Sequence, residues 1–215
     1  MIGPKNASKS LIPFCGYPIF KISTDDILTK EELAFLKLIP EQSDIPNEEV
    51  KLLEGSNILE NSKLHRIKNI IWNHFDDYVR NVLEIKNKFY MCNSWGAIQK
   101  KGNHHPKHTH PNAIFSSVFY VNAPNSSITF LVEKSKIQEG FYFDYEVENP
   151  NWCNTSRWVV PVESGDIIFF PGELAHETGI HKESDDRIVI GSSYFANGIY
   201  GEHSHYNRIN LQNDR

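Results

Sequence analysis

Residues 102–120, GNHHPKHTHPNAIFSSVFY, place four of the chain's ten histidines within seven positions and run directly into a β-like segment. Two of the four, His108 and His110, stand two apart. Side chains at i and i+2 of an extended strand point to one face, so a single backbone segment can aim both imidazoles at one point. That is the geometry of a metal site. The complement lies in residues 165–190, GDIIFFPGELAHETGIHKESDDRIVI, where His176 follows an apolar strand and a Pro-Gly turn. A scaffold that joins these two segments is what the rest of the chain must supply.

The composition sets the limits. The chain has 215 residues, 40% hydrophobic and 23% charged, which is ordinary for a globular protein and enough for one sizeable core. One domain is expected: an N-terminal support of strand and helices (1–87), a catalytic core (88–197) and a C-terminal tail (198–215). A net charge of −5 without basic runs argues against a nucleic-acid binder, because phosphate neutralisation needs clustered Lys and Arg. Cys15, Cys92 and Cys153 are odd in number and widely spaced, fitting neither a disulfide framework nor a zinc knuckle, so reduced thiols are expected. No apolar run approaches the roughly 20 residues of a membrane span, and the start lacks a secretory apolar core. A cytoplasmic protein, monomer or homodimer, is the expectation.

In chain order, residues 13–23 read as a short strand broken by prolines and a glycine. Thr29 is positioned to cap a helix over TKEELAFLKLIP, with Pro40 as its stop. From Ser62, apolar residues at Leu64, Ile67, Ile70, Ile71, Phe75, Tyr78, Val79 and Val82 recur every three to four positions, the clearest helix in the sequence. His65 and His74 on it share no face and read as ordinary helix residues. After Lys88 the texture changes to seven short strands, FYMCNSWGAIQ, AIFSSVFYV, SSITFLV, FYFDYEV, SRWVVPV, GDIIFF and RIVIGSSYF, separated by turns. The fold class predicted is mainly β with flanking helices: a double-stranded β-helix, or jelly roll, with two N-terminal helices packed beside it.

An Fe(II) that must bind a cosubstrate and O₂ needs three protein ligands on one face of an octahedron and three open positions opposite. Two ligands from one strand and a third from a neighbour give that arrangement, here His108, His110 and His176. Arg187, eleven residues on, shares a strand face with Val189 and Gly191 and can point into the barrel. A buried guanidinium is costly unless paired, and its planar fork suits a carboxylate. At these residues the chain resembles the Fe(II)- and 2-oxoglutarate-dependent oxygenases, particularly the small prolyl-4-hydroxylase-like members of marine bacteria and their phages. The resemblance rests on KKGNHHPKHTHPNAIFSSVFYVNAP, GDIIFFPGELAHETGIH and DRIVIGSSYF, and covers roughly residues 88–197. It implies iron held by His108, His110 and His176, and the distal carboxylate of 2-oxoglutarate (2OG) gripped by Arg187. It also implies oxidative decarboxylation to succinate and CO₂ coupled to hydroxylation of a small-molecule or peptide substrate.

Two departures matter. Most of that superfamily has HxD or HxE where this chain has His108-Thr109-His110, so three neutral imidazoles leave the iron site at +2, against +1 with a carboxylate. Weaker metal retention and competition from zinc, nickel or copper follow. The serine often found two residues after the arginine is Val189 here, so another group must complete the carboxylate pocket, with Tyr120 and Gln99 as candidates. The cupin motifs also match in part: Gly102-x5-His108-x-His110 and Gly165-x5-Pro171-x4-His176 fit, but the expected Glu after His110 and Asn after His176 are absent. A cupin enzyme without 2OG, or a non-catalytic metal- or ligand-binding jelly roll, are the alternatives. His104 and His105 read as loop residues, His181 as a loop residue able to approach the site, His203 and His205 as a solvated tail, and Trp95 and Trp158 as core and rim packing.

Overall fold

A computed structural model of the chain describes residues 16–24, 28–41, 50–133, 146–151, 153–201 and 208–211. The first helix, α1 (Lys30–Leu38), forms as its cap dictates: Thr29 Oγ1 accepts from the Glu32 amide, and the Glu32 carboxylate accepts from the Thr29 amide at 2.7 Å. This reciprocal box satisfies two orphan donors. Pro40 forces the preceding Ile39 out of the helical region, and α1 ends there.

The second amphipathic segment departs from one continuous helix. Asn61 sits extended at φ −68°, ψ 130° and its side chain accepts from the Lys63 amide, splitting the entry into single turns at Ile58–Glu60 and Ser62–Leu64. The α-helix proper, α2 (His65–Asp77), then widens into a π turn over Tyr78–Val82. Ile67, Ile71, Phe75 and Tyr78 are fully buried along one side.

Eleven strands are present among the described residues: β1 (Phe20–Ser23), β2 (Lys51–Leu52), β3 (Lys88–Gln99), β4 (Phe115–Asn122), β5 (Ser126–Leu131), β6 (Arg157–Val162), β7 (Asp166–Pro171), β8 (Ala175–Glu177), β9 (Arg187–Asn197), β10 (Ile199–Tyr200) and β11 (Ile209–Asn210). The larger sheet runs β1-β7-β4-β9-β3-β2 and the smaller β6-β5-β8, with all pairs antiparallel. The two sheets form a double-stranded β-helix with the helices on the outer face of the larger one. Six of the seven predicted strands form; residues 141–145 of the remaining one, FYFDYEV, fall outside the described residues, as do Cys15, His203 and His205.

Alternation along the strands divides the interior in two. Phe119 of β4, Ile167 and Phe169 of β7, and Ile188, Ile190 and Tyr194 of β9 face the helices, where Phe75 stacks on Tyr194 with ring centroids 3.7 Å apart. Tyr120, Ile168 and Phe170 face the smaller sheet and meet Ile128 and Phe130 of β5. A one-residue slip would exchange these faces, so the pattern fixes the register. It also sends Arg187, Val189 and Gly191 toward the smaller sheet. No helix among the described residues is long and apolar enough to cross a membrane. Cys92 and Cys153 are free, part-buried thiols.

Candidate active site

His108 and His176 meet as a directly hydrogen-bonded antiparallel pair, each backbone amide donating to the other's carbonyl at 3.0 Å. This bridge extends the smaller sheet by one strand beyond β8 and puts both imidazoles on the inner face, ring centroids 4.2 Å apart. His110 is anchored two residues on by its amide, which donates to the Gly172 carbonyl at 2.8 Å. One ligand atom from each of His108, His110 and His176 lies within 4.8 Å of the other two. The i, i+2 pair and the distant third histidine therefore converge as their spacing predicts.

Backbone carbonyls orient two of the three rings. The Nδ1 of His108 faces the Pro106 carbonyl at 2.8 Å and that of His176 the Leu174 carbonyl at 3.0 Å, so both rings donate there and turn an Nε2 lone pair inward. The Nδ1 of His110 is buried without a hydrogen-bond partner. Burial holds all three below the ordinary imidazole value, His110 at about 2 and His176 at about 4, so all three are neutral at physiological pH. Neutral imidazoles in a closed cluster, one with an orphaned nitrogen, are a donor set that a divalent cation would satisfy.

Arg187 opens β9 and is 3% exposed. It pairs across the sheet with Gln99 at the end of β3, and its Nε donates to Gln99 Oε1 at 2.5 Å while Nη2 donates to the Gly179 carbonyl at 3.0 Å. No carboxylate pairs with it among the described residues. The guanidinium instead lines the cavity that the three histidines line, together with Gln99, Tyr120, Thr178 and Trp95. No Asp or Glu is among the lining residues. Burial raises the Tyr120 phenol above its ordinary value and keeps it protonated.

Residues 93–193, which contain all of these groups, match the family model described as "Putative 2OG-Fe(II) oxygenase". This core is similar to the 2OG-Fe(II) oxygenases. No curated protein matches the chain. Several solved structures share its fold. HygX from Streptomyces hygroscopicus, with nickel, 2-oxoglutarate and hygromycin B bound, is 12% identical over 83% of each chain with a TM-score of 0.57. The carbocyclase SnoK of nogalamycin biosynthesis is 11% identical, covering 93% of this chain and 90% of its own, with a TM-score of 0.57. A prolyl-4-hydroxylase from Pseudomonas putida is 11% identical over 85% and 94% of the chains, with a TM-score of 0.50. The double-stranded β-helix is common to all of them. Enzymes of this oxygenase family use Fe(II), 2OG and O₂, and the neutral histidine cluster with its orphaned Nδ1 fits such a metal.

Some residues fall differently from their sequence reading. Trp95 is not simply packing: it lines the cavity, its ring 5.1 Å from that of His110. Gly191 makes this possible, because a Cβ there would lie 2.3 Å from the indole. His105 is on a loop and outside the three-histidine group, as its sequence reading has it, but its ring stacks on His108 at 3.9 Å and lines the cavity. Burial, with His108, His176 and Arg187 nearby, holds it down to about 3. His181 stays out of the site. It is buried, exchanges backbone hydrogen bonds with Gly102 and Asn103, and turns Nε2 to the Asp185 carbonyl. His65 and His74 lie on α2, away from the cluster, and Trp158 is exposed on β6.

Proposed function

We propose that His108, His110 and His176 hold the ferrous ion of this Fe(II)- and 2OG-dependent dioxygenase, and that Arg187 binds the distal carboxylate of 2OG. One observation carries the reading: a buried guanidinium aimed into the histidine cavity without a protein carboxylate to pair with. Leaving such a charge uncompensated costs several kcal/mol, about 3–5 when one partner of a buried pair is missing. A dianion spanning from metal to guanidinium removes that cost at both ends. The all-neutral histidine set strengthens the argument, since metal and Arg187 together put +3 in a cavity whose lining has no Asp or Glu. A cupin that binds no dicarboxylate leaves Arg187 unexplained.

Each residue then has a stated task. Gln99 orients the arginine, accepting from Nε while its own amide donates to Thr178 Oγ1 at 3.1 Å. Tyr120 offers a phenolic donor near the carboxylate end. Val118, Ile128 and Val189 wall the cavity with apolar surface and exclude water, which strengthens every charge contact inside. Bound Fe(II) supplies the O₂ activation that couples 2OG decarboxylation to substrate hydroxylation, with release of succinate and CO₂.

The prime substrate belongs to the small-molecule or peptide class, since HygX was solved with hygromycin B and another fold neighbour is a prolyl-4-hydroxylase. The proposal also places the protein in the cytoplasm, supported by the free thiols, as a monomer or homodimer. It treats residues 1–87 as support, 88–197 as the catalytic core and 198–215 as a tail.

Succinate formation tests the reading. With Fe(II), ascorbate, O₂ and 2OG, the wild type is expected to release succinate slowly even without prime substrate, and the His176→Ala and Arg187→Ala proteins are expected to release none. Absence of succinate from an iron-loaded wild type would reject it.

A further inference from the structure

His105 is the imidazole in the cavity to which neither metal binding nor the arginine clamp assigns a task. Its ring lies nearly parallel to that of His108, 22° between planes and centroids 3.9 Å apart, and borders the same cavity as Arg187. It is not among the histidines whose nitrogens cluster at the metal position. Neither of its ring nitrogens has a hydrogen-bond partner among the described residues, although its backbone is held on both sides: the amide donates to Thr178 Oγ1 at 2.8 Å, and its carbonyl accepts from the Thr178 amide at 3.0 Å. Thr178 Oγ1 also accepts from Gln99, which accepts from Arg187. A continuous hydrogen-bonded chain, Arg187–Gln99–Thr178–His105, therefore ties the arginine side chain to the backbone that carries this imidazole.

A ring stacked on His108 and carried on a tethered backbone, with unused nitrogens, is placed for a ligand. A group that served only as packing beneath His108 would need no polar edge, and the part-exposed His105 ring keeps its nitrogens available to a ligand in the cavity. An imidazole always carries at least one N–H, so an anion between Arg187 and the metal position meets a donor here.

We propose that His105 is a cosubstrate-binding residue whose ring N–H donates to a carboxylate oxygen of 2OG beside His108, opposite the end gripped by Arg187. This rests on the dioxygenase reading above. Substrate selection would then depend on two anchors set at a fixed separation by the Thr178 relay, favouring a C5 dicarboxylate over shorter or longer 2-oxo diacids.

Two measurements test it. In the first, 2OG is titrated anaerobically into Fe(II)-loaded wild type, His105→Phe and His105→Gln. Phe keeps the stacked ring and removes both nitrogens, while Gln restores a donor. The expected result is a Kd for 2OG raised about ten- to a hundredfold in His105→Phe, the size of one hydrogen bond to a charged group, with partial recovery in His105→Gln and unchanged Fe(II) affinity. A wild-type Kd in His105→Phe overturns the proposal, and so does a loss of iron that fully accounts for the weaker 2OG binding, because the ring would then act only as packing. The second needs no variant: ¹⁵N-histidine spectra of the Zn²⁺-loaded wild type. Addition of 2OG is expected to bring out a protected His105 imidazole N–H, and a His105 resonance indifferent to 2OG overturns the proposal. If His108, His110 and His176 fail to respond to Zn²⁺ at all, the failure lies with the metal-site reading instead.

Discussion

Truncating Arg187 to alanine removes a buried guanidinium whose remaining partners, Gln99 and Gly179, are neutral. Losing one side of a buried charge pair costs roughly 2–5 kcal/mol, so the Arg187→Ala protein should bind 2OG at least about 30-fold more weakly while retaining iron. Arg187→Lys should recover only part of this, since an ammonium lacks the planar fork. Calorimetric titration of the metal-loaded proteins measures both. His110 gives a second residue-scale prediction. Its buried, unpartnered Nδ1 is as many bonds from Cβ as an aspartate oxygen, so His110→Asp should keep the site and lower its charge by one. Tighter Fe(II) binding than wild type, by competition against a chromophoric chelator, is the expected outcome; loss of metal would mean that this position does not face it. The convergence of His108, His110, His176 and Arg187 was legible because a period of two fixes strand faces in advance. The part played by His105 was not, because a loop carries no period, and its Thr178 clamp joins segments 73 positions apart.

Asp166 ties β7 to β1 and to its own turn. It accepts from Lys21 Nζ at 2.8 Å, Ser23 Oγ at 2.6 Å and the Glu163 amide at 2.7 Å. Burial alone would raise its carboxyl; the bonds from Lys21, Ser23 and Glu163 outweigh that and hold it below its ordinary 3.8. Glu32 behaves alike: burial raises it, and the bonds from Arg66 and Thr29 bring the net value below 4.5. A carboxyl lowered on folding stabilises fully above its unfolded value, and that stability is lost as pH falls through the folded value. Denaturant midpoints should therefore be flat above about pH 5 and drop below pH 4. Asp166→Asn should cost about 1–3 kcal/mol at pH 7 and progressively less as pH falls through the lowered folded value of Asp166. The first helix was legible because its capping box is local, four residues long. The split entry and π turn of the second were not, because they answer to Asn61 and to tertiary stacking of Tyr78 on Phe20 and Phe169, which periodicity does not encode.

At the scale of the molecule, the larger sheet separates a dry aromatic layer under the helices from the cavity between the sheets. Phe75 is the centre of the first, touching Trp72, Phe89, Phe115, Phe169 and Tyr194. Phe75→Ala should cost about 3–5 kcal/mol without altering the cavity lining. Ligands act on the other side: metal with 2OG at a hundred times Kd contributes about 2.7 kcal/mol, which for a chain of this size raises Tm by roughly 5–10 °C. The jelly roll was legible from strand spacing and turns, while the choice of which sheet the helices cover depended on long-range packing of Phe75 and Tyr78 against Phe169 and Tyr194. The central claim, that three histidines and Arg187 together hold a metal and 2OG, meets its most direct test in anaerobic addition of 2OG to the Fe(II)-loaded protein, followed by visible absorption. A metal-to-ligand charge-transfer band in the wild type, lost in His176→Ala and demanding far more 2OG in Arg187→Ala, is the predicted result. An iron-loaded wild type that develops no band at any 2OG concentration would contradict it.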